Sequence, residues 1–484
     1  MGSLQEPSSV LRESLITELA HSLKASKLLT PASEGYAEKV KRWADSAEKQ
    51  AGAIMLATSA TDISTTLLFC QKYSIDLATR GGGHSTSGAS SSEGGIVIDL
   101  SEMRNVTVNP VDKTVTAQGG CLWEDVDKAA GQHGLATVGG TVNHTGIGGL
   151  TLGGGYGWLC GQHGLTIDNL LSVKMVLANG DIVRSSESEN TDLFWGIRGA
   201  GHSLGVVTEF TYRAHDQPNP VWAGQLLFTP DKLESVIEFG NHIAAVSKGE
   251  AAAIMGFCAP PPVHAPLVLA VVFYNGTEEQ ALAFYRPLLD ASPVVKMVSM
   301  IPYRSLNSLL NPVAGHGGRK VSKGAVYAQP VRPTFFRSLY DDFSTFLTEV
   351  PDAAGSMLAF EIYATDKICQ VSNTAMAFAN RGSYGNNLIM LQWGQKENDA
   401  ACRAWVRVMA ERFKGEMERG KREGDVRLLV EGVGEYLNSD GLGQSGKVVF
   451  GQNYERLVEL KGKYDPGNVF AKSHLGASLV KGKV

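Results

Sequence analysis

The chain opens on a helical rhythm. Leu11, Leu15, Leu19 and Leu23 recur every fourth residue, and charged positions alternate with apolar ones from Tyr36 to Lys49. Residues 9–50 therefore predict an amphipathic lead-in. From Ile54 to about Tyr212 the period changes to short β-rich runs (ATSA, DLATR, GGIVIDL, VTVNP, KTVTAQGG, SVKMVLANGDIV, GVVTEFTYR) set between glycine-rich turns. Helices are expected at 61–74, capped by Thr61 or Asp62, and at 122–133. A polar, proline-bearing stretch at 214–222, AHDQPNPVW, marks a boundary. Beyond it, strands (GQLLF, LVLAVVFY, NLIMLQWG) mix with helices expected at 230–247, 277–289, 333–349 and 397–418. That texture predicts a second α+β unit, an antiparallel sheet with helices on one face. The tail from Phe450 to Phe470 reads as helical before a Pro-Gly turn, and no internal repeat is visible.

Composition narrows the classes. At 484 residues the chain exceeds one ordinary domain, and 43% hydrophobic against 19% charged residues can fill a core. A net charge of -5 excludes the basic field that nucleic acid or an anionic membrane would need. Six cysteines (Cys70, Cys121, Cys160, Cys258, Cys369, Cys402) form no C-x-x-C pair, so reduced buried thiols are expected, with no metal site and no disulfide framework. The start, MGSLQEPSSVLRESLITELAHSLK, has Glu6 and Pro7 early and no continuous apolar core, so no signal peptide and a cytoplasmic location are expected. Glu6 stands where a myristoylation motif after Gly2 wants Ser or Thr. No stretch is apolar enough to span a bilayer, and the glycosylation patterns at Asn105 and Asn275 read as chance.

The chemistry lies in the glycines, 55 in all, concentrated at 81–95, 119–120 and 139–157. Arg80-Gly81-Gly82-Gly83-His84-Ser85 follows the strand-like run Ile75 to Thr79. Glycines there let backbone N–H groups turn inward on an anion, here a pyrophosphate, with His84 beside the bound cofactor. Taken alone, the run is equally well a plain turn with a satisfied histidine. The second block runs from Thr145 through Gly146, Gly149, Gly154, Tyr156 and Gly157 to Trp158. It mimics a dinucleotide fingerprint, but no acidic residue ends a following strand and no helix clearly opens after it. It reads instead as a long loop pressed flat against a ligand. The third block runs from Trp195 through Gly205 and Val207 to Phe210, and the fourth from Phe450 to Val458, then Tyr464 to Phe470.

In this order the four blocks resemble the vanillyl-alcohol-oxidase/PCMH superfamily, specifically its berberine-bridge-enzyme-like members, over roughly residues 45–215 and 425–470. The resemblance implies an α+β protein: a two-lobed PCMH-type FAD-binding domain from 1–215 and 445–484, and a substrate domain at 216–444. The flavin ring would lie at their interface. The implied FAD contacts are Arg80, Gly81, Gly82, Gly83, His84, Ser85, Gly88, Thr145, Gly146, Gly149, Gly154, Tyr156, Gly157, Gly205, Val207 and Asn468. His84 matches the histidine that bonds the flavin 8α carbon. Val142 stands where many relatives carry a second, cysteinyl link, so a single covalent attachment is expected. Tyr156, Gln392 and Tyr436 are the implied catalytic positions. A tyrosine acts as a base only if its pKa is lowered, and a glutamine only orients substrate. Ser439 replaces a second tyrosine that relatives offer as base. Trp158, Tyr363 and Trp393 join Tyr156 and Gln392 as implied substrate contacts, and His474 either contacts FAD or caps the chain.

Two other classes compete. Gly201-His-Ser203-Leu-Gly205 fits the nucleophile elbow of a serine hydrolase, which needs a helix after the serine, whereas Val206 to Tyr212 predicts a strand. Loss of the second tyrosine also admits a flavin-containing cyclase without net redox. The expected activity is an FAD-dependent oxidase of a hydrophobic small molecule (a secondary-metabolite alcohol, amine or polyketide), with hydride passing to flavin N5 and reoxidation by dioxygen. Small residues at Gly139-Gly140-Thr141 would leave oxygen room.

Overall fold

Ala53–Leu56 and Ile96–Asp99 are buried strands that pair in parallel, and Leu77–Arg80 extends the same sheet in parallel beyond Ile96–Asp99. All-apolar runs of this kind suit a sheet covered on both faces. The computed structural model describes residues 11–424, 432–439 and 443–481; the reading of the first ten residues lies outside them. The expected lead-in is only partly helical. Glu13–Ser22 is a helix, but Lys27–Leu29 is an edge strand on Ala53–Leu56. The reason is Asp62, whose carboxylate accepts the backbone N–H groups of Lys24, Ala25 and Ser26 and lays that segment along the sheet. Asp62 is therefore no helix cap. The helix Ala60–Lys72 is capped by Ser59, whose hydroxyl accepts from the Asp62 N–H.

A five-stranded antiparallel sheet follows, in the order Val106–Asn109, Thr114–Gln118, Gly205–Arg213, Leu170–Leu177, Ile182–Ser186. The third sheet has seven antiparallel strands, with Ala251–Cys258, Met357–Ile362 and Tyr384–Trp393 adjacent near its centre. Its two faces have different neighbours. Met255, Phe257, Leu358, Phe360, Ile389 and Leu391 point into a core closed by the helices Leu233–Val246, Pro333–Glu349 and Asp399–Arg422. Ile254, Met357, Ala359 and Met390, on the other parity, meet Tyr156, Trp158 and Tyr436 from the glycine-rich loops and the C-terminal segment.

The helix expected at 277–289 is two, Glu278–Phe284 and Arg286–Asp290, because Pro287 in the first turn of the second lacks an N–H to continue the first. Pro333 opens its helix at the position where a missing N–H costs nothing. Ala251–Cys258, rich in alanine, became a strand through its central place in the sheet, against its weak propensity. Among the described residues no helix is long and apolar enough to cross a membrane. None of the six cysteines is joined in a disulfide; Cys369 is exposed, unlike the burial expected of it.

The C-terminal segment returns to the glycine-rich lobe through one buried ion pair. Lys461 Nζ donates to Asp465 at 2.5 Å and to the Ser203 carbonyl at 2.8 Å, with both side chains almost fully buried. Asp465 also accepts the N–H groups of Val469 and Phe470. Lys461→Ala leaves that carboxylate buried without its cation and is expected to cost about 3 kcal/mol, read as a lower guanidinium chloride midpoint. An unchanged midpoint would contradict this anchoring.

Candidate active site

Between the glycine-rich loops and the helix-free face of the seven-stranded sheet lies a cavity of about 440 Å³, within the range of about 300–1,000 Å³ typical of small-molecule pockets. One wall is backbone. A Cβ added at Gly82 would stand 2.3 Å from the Gly146 nitrogen, and one at Gly146 would stand 2.3 Å from the Gly82 nitrogen. Gly83 turns the chain at φ +73°. Among the described residues, no acceptor takes the backbone N–H groups of Gly82, Gly83, His84 or Ser85. Such a row of unpaired donors facing a cavity is an anion nest. Lys472, His202 and His474 also line the cavity, and Glu361, from the seven-stranded sheet, is its one acidic lining residue among the described residues. These residues fit a dinucleotide diphosphate.

His84 lines the cavity at the end of the nest. Its ring stacks on Trp43, with centroids 5.1 Å apart and planes 10° apart. Its Nε2 lies 2.8 Å from His144 Nδ1, and its Nδ1 lies 3.5 Å from the Thr145 hydroxyl. His316 closes the group edge-on, 5.7 Å away. Burial, then the neighbouring His144 and His316, hold the His84 pKa well below the usual imidazole range, so the ring is neutral at pH 7.

The opposite wall carries a residue that the sequence reading passed over. Along Met357–Ile362, alternation puts Met357, Ala359 and Glu361 on the cavity side. In register beside them on Tyr384–Trp393 stand Met390, Leu388 and Asn386. The Glu361 carboxylate accepts no hydrogen bond from any described residue, and burial pushes its pKa up to about 7. Tyr156 and Tyr436 stand in the same wall, rings 4.9 Å apart and nearly perpendicular. The Tyr156 hydroxyl donates to the Asn380 carbonyl at 2.9 Å. The Tyr436 hydroxyl accepts from the Tyr156 N–H and from Asn438 Nδ2, which leaves its own proton to give. Burial pushes both phenols up, so neither is a base near neutral pH.

Of the other expected site residues, Gly81, Gly82, Gly83, Ser85, Thr145, Gly146, Gly149, Gly205 and Val207 line the cavity. Several do not. Gln392 shares the parity of Leu388 and Met390 but lies one step past Met357, where it packs beside Gly318 and Gly355. Trp393 has the opposite parity and donates to Asp399 in the helix-covered core. Trp158 is buried against Phe273, and Tyr363 lies behind Tyr156, stacked at 6.5 Å. Arg80 pairs with Asp99 at 2.6 Å behind the nest. Gly154 packs on Phe378, Gly157 on the Gly139 carbonyl and Gly88 beside Lys49. Asn468 donates to the Gly476 carbonyl within a turn. The Gly201–Ser203 turn runs into the strand Gly205–Arg213, so it lacks the strand-to-helix geometry of a nucleophile elbow.

Residues 51–186 match the family described as FAD binding domain, and residues 436–474 match that described as berberine and berberine like. The chain is 35% identical over 483 residues to the FAD-linked oxidoreductase pgmH of Aspergillus terreus, covering 96% of each. It is 32% identical to the FAD-linked oxidoreductase hasG of Aspergillus fumigatus, covering 93% of this chain and 97% of that one. Its fold matches 6-hydroxy-D-nicotine oxidase from Arthrobacter nicotinovorans with a TM-score of 0.77 at 23% identity, over 93% of this chain and 97% of that one. It matches the BBE-like 1 protein of Physcomitrella patens at 0.79 and 19% identity, over 94% and 97%. Gly82→Ala would force the nest away from Gly146. The expected outcome is a folded protein that loses most of its flavin, measured as flavin absorbance per polypeptide; wild-type flavin content would contradict the backbone-wall account.

Proposed function

The chain belongs to the FAD-linked oxidoreductases, and from that premise we propose that it is an FAD-dependent oxidase of an apolar small molecule, with the flavin joined to His84 and with Glu361 as the base. The observation that carries the reading is the Glu361 carboxyl, open to an otherwise apolar stretch of cavity wall and paired with no cation among the described residues. The N–H groups of residues 82–85 would hold the diphosphate, and Gly205, Val207 and Phe470 would flank the rest of the dinucleotide. When bound, FAD supplies a hydride acceptor at N5 and passes the two electrons to dioxygen.

The protein residues do the rest. Ile254, Leu310, Met357, Ala359, Leu388 and Met390 exclude water and receive an apolar substrate body. Glu361 is close to half ionised near neutral pH, so it can take the proton of an alcohol, amine or phenol as the adjacent C–H bond breaks. Tyr436 donates toward the same space, and Tyr156 fixes it there through its backbone N–H. This suits a secondary-metabolite alcohol, amine or polyketide. The division of labour assigns 1–215 and 445–484 to FAD and 216–444 to substrate. It is supported by the composition of the sheets, since the seven-stranded sheet is built wholly from strands between Val221 and Trp393.

Three measurements test the reading. Acid-precipitated wild-type protein should stay yellow, whereas His84→Ala should release its flavin on denaturation; a colourless wild-type pellet would remove the covalent link. Glu361→Gln should slow anaerobic flavin reduction by substrate about 100-fold or more. The wild-type rate should rise as pH increases through about 7, where Glu361 becomes ionised, and the variant should lack that rise. Equal rates in the two proteins would remove Glu361 as base. Turnover with neither hydrogen peroxide nor flavin reduction would point instead to redox-neutral ring closure, the reading favoured by Ser439 on the cavity wall where relatives offer a tyrosine.

A further inference from the structure

We propose that His84, His144 and His316 form a binding site for a divalent transition-metal ion of the zinc class in the flavin-free chain, and that the bound ion holds back attachment of the flavin. The site stands on its own geometry; its effect on attachment rests on the reading of His84 as the tether. One ring nitrogen from each of the three side chains lies within 4.8 Å of the others. His84 Nε2 and His144 Nδ1 are 2.8 Å apart, and the ring centroids of His144 and His316 are 4.6 Å apart. Nitrogens bound at about 2.0–2.1 Å to a tetrahedral ion stand about 3.4 Å from one another, so closure asks for shifts of about 1 Å.

Three separate loops bring the rings together, and Trp43 organises two of them. Its ring stacks on His84. Its indole N–H donates to the Ala314 carbonyl at 2.7 Å, and its carbonyl accepts the Gly317 N–H at 3.1 Å, so the turn that carries His316 is clamped on both sides. The loop that carries His144 is pinned by the Asn143 N–H on the Asn307 carbonyl and by the Trp123 N–H on the Thr145 carbonyl. The His316 side chain is exposed between Gly315 and Gly317, which leaves it room to swing onto the other two. His144 Nε2 has no hydrogen-bond partner among the described residues, so no bond is lost there when the ring turns to an ion.

The donor set chooses the ion. Burial is the first cause that keeps all three imidazoles below their ordinary range, so each offers a neutral lone pair at pH 7. Imidazole nitrogens select zinc, copper or nickel, whereas magnesium and calcium ask for oxygens that this set lacks. Two cations bear on His316 and are already engaged. Arg80 pairs with Asp99, and the Lys320 ammonium is turned onto the carbonyls of Trp43 and Gly317.

Occupancy has a consequence for His84. An ion on Nε2 takes that lone pair, and the proton of the neutral ring then sits on Nδ1, the nitrogen 3.5 Å from the Thr145 hydroxyl on the cavity wall. A nitrogen that carries its proton has no lone pair for a carbon atom. The ring therefore forms no bond to the flavin until the ion leaves.

Full-length chain expressed under flavin limitation and stripped of metal with a chelator is titrated with zinc chloride alone, with magnesium chloride as the control. One zinc ion per chain should bind, and no magnesium. Substituting cobalt(II) should give the visible absorption of a tetrahedral site. His316→Ala and His144→Ala should each weaken zinc binding by about 100-fold or more, and uptake of FAD by each variant shows that it is folded. Zinc-loaded wild type mixed with FAD in air should gain the mass of FAD at least about 10-fold more slowly than the stripped chain, with the rate restored by chelator; attachment in His316→Ala should be insensitive to the same zinc. A wild-type chain that binds no zinc, or that binds it as tightly as both variants do, would overturn the proposal. Attachment at the stripped rate with zinc still bound would overturn the effect on His84. A stripped wild-type chain that takes up FAD and never gains its mass would remove the tether reading and the effect on attachment, and zinc binding lost in the two variants would still establish the ion site.

Discussion

The contact between the backbone at Gly82 and the backbone at Gly146 is the constraint from which the site follows. Neither position has room for a single added carbon, because each Cβ would meet the other strand's nitrogen at 2.3 Å. Gly81 and Gly148 lie over the carbonyl of Gly119 less tightly, with added carbons at the ordinary contact distances of 3.6 and 3.5 Å from it. Three backbone segments thus meet without side chains between them. Among the described residues the N–H groups at the turn gain no acceptor, and donors left in this state have a strong preference for an anion. The diphosphate end of a dinucleotide meets that need. Everything further along the cavity is placed relative to that grip.

The seven-stranded sheet supplies the other half of the arrangement. One face is sealed by helices and the other is open to the glycine-rich loops, so strand parity alone decides which residues reach the cavity. Glu361 is on the open side, and Phe360 and Ile362 are on the closed one. His84 and Glu361 therefore face the cavity from different elements, one from the glycine-rich loops and one from the seven-stranded sheet, and an apolar wall stands beside Glu361. A neutral imidazole and a half-ionised carboxyl both result from the same dry environment.

Much of this was legible in the chain. The glycine nest, its terminal histidine and the return of the C-terminal segment follow from residue types in fixed order, because a turn that grips an anion admits few sequences. The helices of the larger sheet announced themselves through apolar spacing. Glu361 did carry a local signal, a lone acid inside the apolar run MLAFEI, yet nothing in the sequence says which parity faces a ligand. Gln392 failed for a related reason: its parity is that of the cavity wall, but the cavity ends at Met390, and only the register against Met357 reveals this. Trp158, Trp393 and Tyr363 were aromatic candidates that the fold used as packing. His144 and His316 are 172 positions apart and meet His84 only in three dimensions. The nucleophile-elbow pattern at Ser203 is answered by the strand that follows it.

The central claim is that one nest of backbone donors delivers the flavin to a seam where His84 holds it and Glu361 faces the substrate. A crystal structure of the flavin-loaded enzyme with a bound substrate analogue tests it most directly. The account predicts diphosphate oxygens on the N–H groups of residues 82–85, continuous density from His84 to the ring, and the Glu361 carboxyl about 3 Å from a proton-bearing atom of the analogue. A dinucleotide seated away from the nest, or an analogue bound with Glu361 turned from it, would contradict the account.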